Sequence, residues 1–176
     1  KEAFALPPLE EQRRIADVLQ KGHAAVEIKR NAAEKLLLVR RAMQSRLIFP
    51  DSSDSYCKLE KLVEINPKDP PLSEDSPFFP MDSLTEWVRE INHHEKKGTR
   101  GGIRARSGDV LMARITPCLE NGKTAQVPVA IKRCGGSTEF VVFRAKEGVS
   151  ESFVYWLITS DRIRNAAIAM MTGTTG

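Results

Sequence analysis

Cysteine is scarce and unpaired by spacing: Cys57, Cys118 and Cys134 are odd in number and widely separated, so no disulfide framework is expected and the thiols read as reduced. His93-His94 stand side by side without a CxxC partner, which is not the spacing of a zinc site. No run of about 18 apolar residues is present to span a bilayer. The opening Lys1-Glu2-Ala3-Phe4 lacks the charged-then-apolar layout of a signal peptide, and a cytoplasmic location is the expectation. Catalytic signatures are missing as well. There is no GxxxxGK[ST] phosphate loop, no GxSxG nucleophile elbow and no HExxH pair. Asp69-Pro70-Pro71-Leu72 approaches a [DNS]PP[YFW] adenine-presenting motif but has Leu72 where an aromatic ring would stack on a flipped base. Asp69, Glu74, Asp75 and Asp82 are spread among prolines and serines without a metal-binding spacing. These absences speak against an enzyme and against a bound metal.

The chain does contain an uneven distribution of charge. Over 176 residues the formal net charge is only +4, yet residues 1–50 carry ten Lys/Arg against six Asp/Glu, residues 51–91 four against ten, residues 92–133 nine against three, and residues 134–176 four against four. An acidic block therefore separates a basic first segment from a second basic stretch. That stretch, His93 to Arg106, is punctuated by Gly98, Gly101 and Gly102. It reads as a loop whose backbone N–H groups and long cations suit phosphate contacts, although a solvated surface loop has the same composition.

Leu6-Pro7-Pro8-Leu9-Glu10-Glu11 marks the start of a helix. The prolines fix an extended lead-in, and the two glutamates place negative charge at the positive end of the macrodipole. No proline follows until Pro50, so a helix over 9–48 is predicted, roughly 60 Å long at 1.5 Å per residue. Apolar positions recur at steps of three and four, and the stripe Ile15, Val18, Ala25, Ala32, Leu36, Val39 and Met43 predicts a coiled-coil-type helix pair. Arg13, Arg14, Lys29, Arg30, Arg40, Arg41 and Arg46 are assigned to the opposite face. The stripe alone would also serve a helix folded back over its own domain.

Past Asp51-Ser52-Ser53-Asp54-Ser55 a second domain begins. Lys58–Pro67 predicts a brief helix or strand, Phe78–Met81 a strand, Leu84–Ile91 a short amphipathic element, and Val110–Ile115 a buried strand. Asn121-Gly122 predicts a hairpin turn into Thr124–Val127. Ser137–Arg144 predicts a strand, and Glu151–Met171 one helix entered at Ser150. The fold class is α+β: a mixed sheet with short helices, plus the long N-terminal helix. The domains are 1–49 and 50–176.

Taken as strings, these segments resemble a known family. Leu-Pro-Pro-Leu-Glu-Glu-Gln-Arg-Arg-Ile, then Gly108–Ile115, Asn121-Gly122-Lys123, Ser137–Arg144, Phe153–Leu157 with Ser160, and Thr172–Gly176 occur in the order seen in specificity subunits of type I restriction–modification enzymes. The resemblance implies a central conserved-region helix preceded by the tail of one target recognition domain and followed by a second such domain, truncated at its C-terminus. It implies a non-catalytic subunit that reads one half of a bipartite site on double-stranded DNA and positions modification (methyltransferase) and restriction (motor-nuclease) subunits. S-adenosylmethionine, ATP and Mg would sit on those partners and no cofactor on this chain. The missing partner helix would come from a second copy, making a homodimer, or from a longer subunit. A helical scaffold without base reading is the alternative. On loops, Arg100, Arg104, Arg106, Arg114 and Lys123 are the candidate base readers, and Lys96, Lys97, Lys132 and Arg133 the candidate phosphate contacts. The 66–82 loops and the Thr172-Gly173-Thr174 region are the fallback reading surface.

Overall fold

The computed structural model describes residues 7–49, 57–91, 93–96 and 101–171, with Lys96 described in its backbone only. The expected linker at 51–55, the Thr172–Gly176 motif, Lys97 and Arg100 lie outside the described residues. The chain divides between Met43 and Gln44 into two compact units.

Helix α1 runs Leu9–Ile48 without a break. At its start the Pro8 carbonyl accepts the Gln12 N–H at 3.0 Å, the first backbone bond of the helix, and Gln12 Nε2 donates to the Pro7 carbonyl at 2.7 Å, tying the proline lead-in to the first turn. The stripe is solvent-facing: Val18 is 62% exposed, Leu36 70% and Val39 56%. Lys29 departs from expectation. It is seven residues from both Gly22 and Leu36, so it lies within the stripe and not on the opposite face; Arg14, four residues before Val18, and Arg40, four after Leu36, likewise stand beside the stripe.

The second unit is layered. Strands β1 (Val63–Ile65), β8 (Phe140–Ala145), β5 (Val110–Ala113) and β6 (Thr124–Gln126) form one antiparallel sheet in that order. Strands β3 (Glu95–Lys96), β2 (Pro77–Phe79), β7 (Arg133–Gly136) and β4 (Ile103–Arg106) form the other, with β2 and β7 parallel. The first sheet is covered on both faces. Leu111, Ala125 and Val142 pack with Phe79, Ala105 and Cys134 of the second sheet, whereas Val110, Met112 and Phe143 pack against Val154, Tyr155 and Ile158. A central strand buried on both faces reads as a continuous apolar run rather than an alternation, which is why Val110–Ala113 carries no polar residue.

Five expectations are corrected. The segment predicted as one helix is two, α2 (Glu151–Ile158) and α3 (Asp161–Met171). The Tyr155 carbonyl still accepts the Thr159 N–H at 3.0 Å, with the Thr159 hydroxyl beside it at 2.9 Å, but the Leu157 carbonyl accepts the Ser160 N–H at 3.2 Å and the Ser160 hydroxyl at 2.6 Å, an i→i+3 closure that ends the helix. Gln44, in the last turn of α1, donates to the Trp156 carbonyl and to Thr159 Oγ1, both at 3.0 Å. Asn121-Gly122 is not a two-residue hairpin: ten residues, 114–123, separate β5 from β6, and the pair closes that loop. Gly122 has φ +72°, and a Cβ there would meet the Trp87 ring at 2.7 Å. Leu84–Ile91 is irregular, held by isolated bridges Leu84↔Ile91 and Glu86↔Lys123, with the Arg164 guanidinium 4.2 Å over the Trp87 ring. Finally, the latter part of the expected basic loop is strand β4, and β8 starts at Phe140, after a turn at Ser137–Glu139 closed by the Phe140 N–H to Ser137 O.

Candidate nucleic-acid interface

The β4–β7 ladder places cations in a row. Its register pairs Arg106 with Arg133, Ala105 with Cys134 and Arg104 with Gly135. Directly opposed residues share a face and successive ones alternate, so Arg104, Arg106 and Arg133 lie on one exposed face while Ala105 and Cys134 point into the core. Burial pushes the Cys134 thiol up to about 12, helped by the charges of Asp109 and Asp69, and its S–H faces the Ala105 carbonyl at 3.6 Å.

The segment Asn66–Pro71 borders this row, and two features hold it. Asn66 has φ +50°, a conformation asparagine tolerates. Its N–H donates to the Val142 carbonyl at 2.8 Å and its Oδ1 accepts the Val142 N–H at 2.9 Å, extending the β1–β8 ladder by one side chain. Three residues on, Asp69 accepts from Arg144 Nη1 at 2.9 Å and Nη2 at 2.6 Å. Arg144 also donates from Nε and Nη2 to Asp109 at 2.9 and 2.7 Å. This buried guanidinium is thus bidentate to two carboxylates, and Asp109 accepts the Arg106 N–H as well at 2.9 Å. The hydrogen bonds from Arg144 hold the Asp69 carboxyl below the usual carboxylate range despite partial burial. Burial opposes the charge on Arg144, but hydrogen bonds to Asp109 and Asp69 outweigh it and raise its pKa.

Carbonyls of that segment receive the arginine row. Arg104 Nη1 donates to Asp69 O at 2.8 Å; Arg133 Nη2 donates to Pro70 O, and to Pro71 O at 3.2 Å. Both arginines remain exposed. The Asp-Pro-Pro sequence that approaches a methyltransferase motif is therefore a strut that orients guanidinium groups.

Between strut and sheet opens a cleft of about 510 Å³ lined by Lys68, Gly102, Arg104, Arg114, Thr138 and neighbours. Gly102 is required there: with φ +93°, a Cβ would fall 2.1 Å from the Gly136 carbonyl. Arg114 ion-pairs with Glu139 at 3.1 Å, both side chains remaining partly exposed, and it also borders a separate apolar cleft of about 940 Å³ lined by Met112, Ile115, Phe143, Ala167 and Met170, among others.

Of the sequence-predicted residues, the structure brings Arg104, Arg106 and Arg133 onto one face, and Arg104 and Arg114 into one cleft. Lys123 stands elsewhere, half-buried, with Nζ 3.5 Å from the Met81 carbonyl. Lys132 is exposed beside Arg133, and the backbone of Lys96 belongs to β3. Lys68 and Thr138 were missed as individual residues; the proline-framed Asn66–Pro71 string was the available signal for Lys68. Among the described residues no three His, Cys, Asp or Glu side chains converge as a metal site, and no helix is long and apolar enough to cross a membrane.

No protein-family model matches the chain. It is 27% identical over 170 residues to the type I restriction enzyme EcoAI specificity subunit of Escherichia coli, covering 85% of this chain and 29% of that protein. The chain thus spans under a third of the length of that curated relative. Among solved structures, a chain from a study of complex assembly and conformational transition of the type I R-M system matches with a TM-score of 0.51 at 22% identity, covering 95% of this chain and 44% of its own. The HsdS subunit of Thermoanaerobacter tengcongensis matches with a TM-score of 0.46 at 19% identity over 96% of this chain and 51% of its own. In sequence and in α+β fold with a long N-terminal helix, this chain is like the specificity subunits of type I restriction enzymes.

Proposed function

We propose that the chain is part of a DNA-sequence-recognition subunit of a type I restriction–modification system, with residues 1–49 forming the tail of a preceding domain plus the conserved-region helix and residues 50–176 forming a target recognition domain. The observation that carries this reading is the exposed row Arg104, Arg106 and Arg133, of which Arg104 and Arg133 are strutted by the Asp69–Pro71 carbonyls, continuous through Arg104 with the cleft that holds Lys68 and Arg114. Pre-oriented guanidinium groups with N–H donors left over suit bidentate contact to guanine O6 and N7, while Lys96, Lys97 and Lys132 suit phosphates. The domain reads one half of a bipartite double-stranded site. Catalysis belongs to modification and restriction subunits carrying S-adenosylmethionine, ATP and Mg, and the assembly works in the cytoplasm. The stripe Ile15, Val18, Ala25, Ala32, Leu36, Val39 and Met43 pairs with a second helix and so sets the spacing between reading domains.

The test is selection from a randomised duplex pool by the full subunit bound to its modification subunits. A short enriched motif that is lost with Arg104→Ala is the expected result. An unenriched pool, from a complex shown intact by its mass, would favour the scaffold reading.

A further inference from the structure

Because α1 is uninterrupted from Leu9 to Ile48, the direction of each side chain follows from its number. Residues seven apart drift by only about 20° around the axis. One row of the stripe holds Ile15, Gly22, Lys29, Leu36 and Met43; the other holds Val18, Ala25, Ala32 and Val39. A charge therefore sits at the middle of the seam, with the small residues Gly22, Ala25 and Ala32 around it. The row flanking the second holds Arg14, Lys21, Ile28 and Lys35, and the row flanking the first holds Leu19, Val26, Ala33 and Arg40. Glu11, seven residues before Val18, heads the second row in the first turn of the helix, and the acids beyond it lie elsewhere. Asp17 is on the outer side, 2.7 Å from Lys21, and Glu27 and Glu34 bracket Arg30 on the outer face at 3.9 and 3.3 Å. From Arg14 to Met43 the two stripe rows and the two rows beside them contain no acidic residue.

This pattern disfavours the chain as its own partner. In an antiparallel pair each flanking row meets its own copy, setting Lys21 and Lys35 against cations. In a parallel pair Lys29 meets the partner's Lys29. Like charges beside a seam oppose pairing, and a single Lys at such a position selects register and partner. We propose that the apolar face of α1 takes a non-identical helix with acidic flanks that brings an Asp or Glu to the level of Lys29, where the small residues leave room for the carboxylate and the lysine stem lies along the seam. The inference rests on the stripe being a pairing surface.

The experiment uses the chain and its variant K21E/K29E/K35E, alone and mixed, in sedimentation equilibrium at low and high salt. The equimolar mixture is expected to form a 1:1 complex at least about tenfold tighter than either chain with itself, weakening as salt rises. Self-association of the unaltered chain as tight as that of the mixture would overturn the charge inference while leaving helix pairing intact. No association in any mixture at either salt, with helix content unchanged by circular dichroism, would overturn pairing and the proposal together. If the triple variant loses helix, Lys29→Glu alone takes its place under the same criteria.

Discussion

Helix α1 and the 44–176 unit place their apolar residues in opposite ways. In the layered unit Leu111, Val142 and Ile158 are almost wholly buried, and the buried guanidinium of Arg144 is met by two carboxylates. Along α1, Val18, Leu36 and Val39 remain more than half exposed, and cations stand in and beside the stripe. The difference separates two sources of order. The layered unit closes its own core, as the two faces of β5 require, whereas the helix presents an exposed apolar surface.

The sharpest way to break this contrast is to attack the buried charge. Asp109→Ala removes two of the hydrogen bonds to Arg144 and leaves a buried guanidinium incompletely paired, which is expected to destabilise the layered unit by about 3–5 kcal/mol in calorimetric unfolding. A change under about 0.5 kcal/mol would mean that Arg144 is not essential to that core. A smaller effect is expected at Asp69, which lies at the rim. Its folded pKa is depressed, so its contribution is present above the unfolded carboxylate value of about 3.9 and is lost as pH falls through the lower folded value. Asp69→Asn should therefore cost about 2 kcal/mol near neutral pH, with the gap to the parent closing only in strong acid. A gap already closed at pH 5 would contradict the ion pair. The smallest effect on folding is expected from Leu36→Glu with Val39→Glu. These exposed sites should leave unfolding of the layered unit within about 0.5 kcal/mol of the parent while weakening any association through the stripe, read as mass in sedimentation. An unchanged association would remove the stripe as an interface.

Legibility followed the range of the interactions. The helix bounds were readable because prolines and first-turn glutamates act within one turn, and Val110–Ala113 was readable because burial on both faces leaves an unbroken apolar run. The break at Thr159-Ser160 was not, since serine and threonine also occur inside helices and only the closure of Ser160 onto the Leu157 carbonyl marks it. Lys29 falls in the stripe because its direction is set by its heptad position, seven residues from Gly22 and Leu36, and not by its charge. At the candidate interface, the arginines were visible as a cluster of charge. Their orientation depends on carbonyls at Asp69 and Pro70, and on a strand register that pairs Arg106 with Arg133. None of these contacts is local, so no short-range pattern announces them.

The central claim, as proposed, is that the arginine row reads bases while Lys96, Lys97 and Lys132 hold the backbone. It is tested most directly by titrating the subunit, in complex with its modification subunits, against the selected duplex and a random duplex across a salt series. Arg104→Ala is expected to cost about 1–3 kcal/mol on the selected site and much less on random DNA, with unfolding temperature unchanged. Lys96→Ala with Lys97→Ala should weaken both duplexes alike and lower the salt slope by about one per lost phosphate contact. Affinities equal to the parent for both duplexes at every salt would contradict the claim.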